Sequence, residues 1–86
     1  MIEKHFFLDE ADPVLFYGPA NANLRMLKAL CPKLRIMARG NVLKAIGDEE
    51  ELAAFEELFA ALQKHCTKYN LLTEEDVLDI VKRRQT

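Results

Sequence analysis

The longest apolar pattern in the chain is Leu52, Phe55, Phe59, Leu62, Cys66 and Tyr69, spaced alternately by three and four. That is the core stripe of an amphipathic helix, and it predicts a helix over 49–69. Asp48 stands where a cap belongs, and Glu49, Glu50 and Glu51 fill the first turn, where the helix dipole favours anions. Asn70 suits a left-handed C-terminal residue. Thr73 with Asp76 three positions on forms a capping box, and Val77, Ile80 and Val81 share one face of a helix predicted over 74–84. Towards the N-terminus, β-branched and aromatic residues predict a strand over 2–8. Asp12-Pro13 starts a helix over 13–17, which Gly18-Pro19 stops. Leu24, Leu27 and Cys31 at helical spacing predict a helix over 22–30, ended by Pro32.

Beyond Lys33 the period falls to two, so residues 34–46 read as a hairpin turning at Gly40-Asn41, with positive φ expected at the glycine. A two-residue turn sets the register: Arg39 opposite Val42, Ala38 opposite Leu43, Met37 opposite Lys44, Ile36 opposite Ala45, Arg35 opposite Ile46. One face then carries Leu34, Ile36, Ala38, Leu43 and Ala45 towards the helices. The other carries Arg35, Met37, Arg39, Val42, Lys44 and Ile46, a mixed basic and apolar surface.

Eighty-six residues make one small domain, and half of them are apolar, ordinary for a globular protein. No apolar run approaches the ~18 residues of a membrane span, and the opening residues do not read as a secretory leader. Two cysteines, Cys31 and Cys66, cannot build a disulfide framework. A reduced, cytoplasmic protein is the expectation.

The net charge of −2 conceals segregation. From Pro13 to Gly47 there is no carboxylate, while Arg25, Lys28, Lys33, Arg35, Arg39 and Lys44 all lie in that block. The flanks are acidic, and Lys82, Arg83 and Arg84 form a basic tail. Gathered cations attract polyanions. The alternative origin of the block is that the acids sit on helices and leave the strands basic.

The order strand, short helix, glycine turn, helix, hairpin, long helix resembles the βααββα order of KH domains, with a C-terminal helix added. The fold class expected is therefore α+β: a three-stranded antiparallel sheet packed on one face by helices. KH domains carry a GxxG turn between their first two helices, followed after two residues by an aliphatic one. Here Gly18 matches the first glycine, Leu24 the aliphatic position, and Asn21 replaces the second glycine. Asparagine tolerates left-handed φ best among non-glycine residues. The resemblance implies that Gly18, Pro19, Ala20 and Asn21 approach a sugar–phosphate backbone, with bases lying over an apolar groove. The turn departs from the pattern in that Pro19 has no N–H and neither variable position is Lys or Arg.

A closer resemblance runs through Gly18-Pro19-Ala20-Asn21-Ala22-Asn23-Leu24, Ala38-Arg39-Gly40-Asn41, Gly47-Asp48-Glu49-Glu50 and Leu72-Thr73-Glu74-Glu75-Asp76-Val77. These stretches are similar to the N-terminal region of PhoH-like proteins, bacterial cytoplasmic ATPases linked to phosphate starvation and, in some lineages, to RNA metabolism. The resemblance implies a P-loop ATPase domain beyond residue 86, holding ATP and Mg²⁺. The present chain has no G-x-x-x-x-G-K-[ST], and its only glycines are Gly18, Gly40 and Gly47. It is expected to need no cofactor and to catalyse nothing itself.

His65-Cys66 suggests a metal or thiol site, but adjacent helical residues diverge and no zinc spacing exists, so a core cysteine beside an exposed histidine is expected. The Asp48–Glu51 run is read as helix-start stabilisation. Phe6, Phe7, Phe16, Phe55 and Phe59 are expected in the core. Tyr17, beside the turn, is the candidate for stacking on a base. The leading expectation is a module binding single-stranded nucleic acid, RNA before DNA. Its site residues are Gly18 to Asn21, Arg25 and Lys28, with Arg39, Arg35 and Lys44 from the hairpin. The alternative is an interaction domain that docks on its own ATPase domain, on a second copy in a homo-oligomer, or on a protein partner. A membrane partner is not expected.

Overall fold

The computed structural model describes residues 1–84. In chain order they form β1 (Ile2–Phe7), α1 (Pro13–Tyr17), a 3₁₀ turn (Pro19–Asn21), α2 (Ala22–Leu30), β2 (Arg35–Arg39), β3 (Val42–Gly47), α3 (Glu49–Tyr69) and α4 (Glu74–Arg84). The fold is α+β, with an antiparallel sheet ordered β1-β3-β2. Among the described residues no helix is long and apolar enough to cross a membrane.

The hairpin pairs as its two-residue turn requires, from Arg39 opposite Val42 to Arg35 opposite Ile46. Gly40 has φ 60, and it alone of the two turn residues has positive φ, the pattern of a type II′ turn. β1 adds to the far side of β3, with Phe7 opposite Val42, Phe6 opposite Leu43 and His5 opposite Lys44. Side chains alternate between faces along each strand. The inner face therefore gathers Phe6, Ile36, Leu43 and Ala45, all buried.

Helix α3 packs on β1 and β3, α2 lies against β2, and α4 packs on α2 and α3. Phe6 meets Phe55 and Phe59 at ring-centroid distances of 5.2 and 5.3 Å, and Phe16 meets Phe59 at 5.4 Å. Each buried phenylalanine contributes about 1.5–3 kcal/mol. Lys4 also points inward, but at the rim, where its Nζ reaches Glu56 Oε2 at 2.6 Å.

The caps follow the sequence with one exception. Asp12 accepts from the Val14 N–H at 2.9 Å, and Thr73 and Asp76 form the reciprocal box at 3.0 and 3.1 Å. Asn70 is left-handed with φ 56. Asp48 occupies the N-cap position of α3, but its side chain makes no capping bond. Its backbone carbonyl accepts from Leu52, so the acidic first turn acts through the dipole.

Two core expectations are corrected. Tyr69 is 59% exposed, and Leu58 joins the core instead. Phe7 is 58% exposed. Phe6 and Phe7 are neighbours in one strand, so they face opposite sides, and no described helix covers the outer face of the sheet.

Candidate nucleic-acid interface

The turn joining α1 to α2 is built from unusual backbone. Gly18 has φ 77 and ψ 175, a conformation largely confined to glycine. Ala20 and Asn21 follow in left-handed conformation, with φ 54 and 59. Left-handed alanine costs about 1–2 kcal/mol, so the surrounding contacts hold it there. Asn21 behaves as its place in the glycine pattern predicts, whereas left-handed Ala20 has no signal in the sequence. The Asn21 N–H donates to the Gly18 carbonyl at 3.1 Å, and the Ala22 N–H donates to the Pro19 carbonyl.

Two side chains lock this turn to its surroundings. Asn23, 1% exposed, donates its amide Nδ2 to the carbonyls of Phe16 at 3.1 Å and Leu72 at 2.6 Å. It thereby joins the end of α1 to the segment before α4. A Cβ on Gly18 would lie 3.0 Å from the same Nδ2, so glycine is required for conformation and for space. Tyr17 donates its hydroxyl to the Gly40 carbonyl at 3.0 Å, tying the turn to the hairpin tip. The Leu8 N–H donates to Asn41 at 2.8 Å, bringing the end of β1 to the same tip.

Between turn and hairpin lies a groove of about 710 Å³. Asn21 at the N-cap of α2, with Leu24 and Lys28 on the helix, forms one wall, at spacings of three and four. Met37, Ala38 and Arg39 of β2 form the other, and the groove extends over the sheet to Val42, Lys44 and His5. A second depression of about 380 Å³ shares Asn21, Leu24 and Ala38 with it and continues to Gly18, Tyr17 and Gly40. The lining combines apolar Leu24, Met37, Ala38 and Val42 with the cations Lys28, Arg39 and Lys44.

Of the predicted residues, Tyr17, Gly18, Asn21, Lys28, Arg39 and Lys44 line these depressions. Pro19 and Ala20 stand exposed at the outer edge of the turn, and Arg25 projects from α2 one turn beyond Asn21. Arg35 lies at the opposite end of β2, across from Ile46, and does not join the groove. None of Arg25, Lys28, Arg35 and Arg39 forms an ion pair with another described residue. Lys44 lies 3.7 Å from Glu3, which partly neutralises it.

Tyr17 is not placed as a stacking platform. It is 8% exposed, packs edge-on against Phe16 at 5.8 Å, and burial pushes its phenol above the ordinary value, keeping it a hydrogen-bond donor. Its role here is to hold the two walls together.

Sequence reasoning missed that His5 lines the groove, that Asn23 braces the turn, and that Phe7 faces outward. Asn23 shares the buried face of α2 with Leu27, four residues on, a spacing that betrays it. Phe7 and His5 alternate with Phe6 along β1, so placing Phe6 inward places both outward.

The glycine turn does not fit a nucleoside triphosphate. It offers no lysine, Pro19 lacks an N–H, and the Asn21 N–H is spent within the turn. The thiols are not activated either. Burial raises Cys31, with Glu51 adding to it, and burial raises Cys66, with Asp12 adding to it. Cys66 is buried as expected, while the neighbouring His65 is half-buried, 3.4 Å from Asp76. No family model, curated protein or solved structure matches the chain.

Proposed function

We propose that this domain binds single-stranded nucleic acid, RNA in the first instance, in the groove between the glycine turn and the hairpin. The observation that carries the reading is the presence in one groove of apolar Leu24, Ala38 and Met37 with Lys28 and Arg39, which no described carboxylate neutralises. Unpaired strands present base faces and phosphates together, and such a groove offers a partner for each. A duplex hides its base faces. The turn supplies shape rather than charge, so affinity rests on the cations of α2 and β2. With its resemblance to PhoH-like proteins, the domain is read as an RNA-binding module of an ATPase whose ATP and Mg²⁺ are held elsewhere. It performs no catalysis of its own.

Fluorescence anisotropy with a labelled eight-nucleotide RNA tests this. Binding is expected at low salt, weakening steeply as salt rises, with a duplex of the same sequence bound less well. No binding at about 100 μM protein in low salt, the weak end of non-specific affinity, would refute it.

The interaction-domain reading keeps one observation in its favour: Phe7 and Met37 are 58% and 40% exposed on the open sheet face. A concentration-dependent mass in sedimentation would favour it.

A further inference from the structure

The groove opens onto the outer face of the sheet, where Phe7, Glu3, Ile46 and Arg35 lie beyond its lining. Outward residues fall in cross-strand rows: Phe7, Val42 and Arg39 in the first, then His5, Lys44 and Met37, then Glu3, Ile46 and Arg35. Phe7 is the most exposed aromatic there. The first row begins at Arg39, a groove residue, and crosses through Val42, also a groove residue, to Phe7. Arg35, Arg39 and Lys44 stand on this face against Glu3 as the only carboxylate among the outward strand residues. A sheet face docking on protein through apolar contact gains nothing from that excess of cations. A strand of nucleic acid is complementary to both features at once.

We infer that Phe7 is a base-stacking residue that extends the binding path from the groove, over Val42, onto the open sheet face. This rests on the nucleic-acid reading above and adds the direction of the strand beyond the groove. Phe7 on β1 lies one strand spacing, about 5 Å, from Val42 on β3, so a strand must run past the Val42 end of the groove to reach it. The groove accordingly accepts a short strand alone, and the sheet face adds affinity only when the strand is longer. Arg39 sits at the junction and serves both segments.

The test compares four-nucleotide and eight-nucleotide RNAs by anisotropy against the wild type, Phe7→Ala and Phe7→Trp. Phe7 is largely exposed, so neither substitution disturbs the core. Wild type is expected to bind the longer strand more tightly. Phe7→Ala is expected to weaken the eight-nucleotide strand by about 5- to 30-fold and leave the four-nucleotide strand unchanged. The chain has no tryptophan, so Phe7→Trp supplies a single reporter whose fluorescence is expected to quench with the longer strand only. Equal binding of the longer strand by wild type and Phe7→Ala, with the short strand still bound, overturns the inference and leaves the groove reading intact. Failure of both strands to bind wild type overturns both. Self-association abolished by Phe7→Ala, with strand affinity unchanged, also overturns it and assigns the face to a second copy.

Discussion

The Tyr17 hydroxyl donates to the Gly40 carbonyl at 3.0 Å, across 23 residues of chain, and so joins the two walls of the groove at one end. Tyr17 closes α1 and Gly40 turns the hairpin, so this bond sets the separation between the glycine turn and the tip carrying Arg39. Tyr17→Phe removes the bond while keeping the ring in place. It is expected to lower stability by about 0.5–1.5 kcal/mol in denaturant titration. It is also expected to speed amide exchange at the hairpin tip relative to α3. Unchanged exchange there would mean that the walls are held by packing alone.

Asn23 has the greater structural effect. Asn23→Ala deprives the Phe16 and Leu72 carbonyls of a donor in the interior and is expected to cost about 2–4 kcal/mol. The lost bonds join α1 to the segment before α4, so the turn and α4 are expected to loosen together in hydrogen exchange. A loss below about 0.5 kcal/mol would show that water replaces the amide.

Lys28→Ala and Arg39→Ala are each expected to reduce the slope of log affinity against log salt by about one. Lys33→Ala is the control, since Lys33 faces Glu51 at 3.7 Å and lies outside the groove. Equal slopes for all three variants would place the contact surface elsewhere.

Asp76 supplies a pH signature. The Thr73 N–H, foremost among several contacts, holds its carboxyl below the usual value. A depressed folded value stabilises above the unfolded value of about 3.9 and is lost as pH falls through the folded one. Asp76→Ala is expected to be less stable than wild type by about 1 kcal/mol at pH 7. The gap should close below about pH 4, measured by thermal melts across pH. A gap that stays constant to pH 2 would remove the charge from the explanation.

Much of this fold was legible in the sequence because its punctuation is local. Asp12-Pro13, Gly40-Asn41, Asn70 and the Thr73 box act within a few residues, and the two-residue turn alone sets all five hairpin pairs. What was not legible depends on contacts distant in sequence. The pairing of β1 with β3 decides that Phe7 faces out, and the arrival of Leu72 beside Phe16 gives Asn23 its partners. The candidate site divides the same way. Lys28 and Arg39 could be named from the basic block, but Arg35 falls at the wrong end of its strand, and Tyr17 becomes a tie once Gly40 is brought to it.

The groove between turn and hairpin is a location, and amide chemical shifts report location directly. Titrating the ¹⁵N-labelled domain with a single-stranded RNA octamer is expected to move the resonances of Gly18 to Lys28 and of Met37 to Lys44. The outer face of α3 should stay in place. Shifts concentrated on α3 and α4, with the glycine turn and hairpin unmoved, would contradict the account.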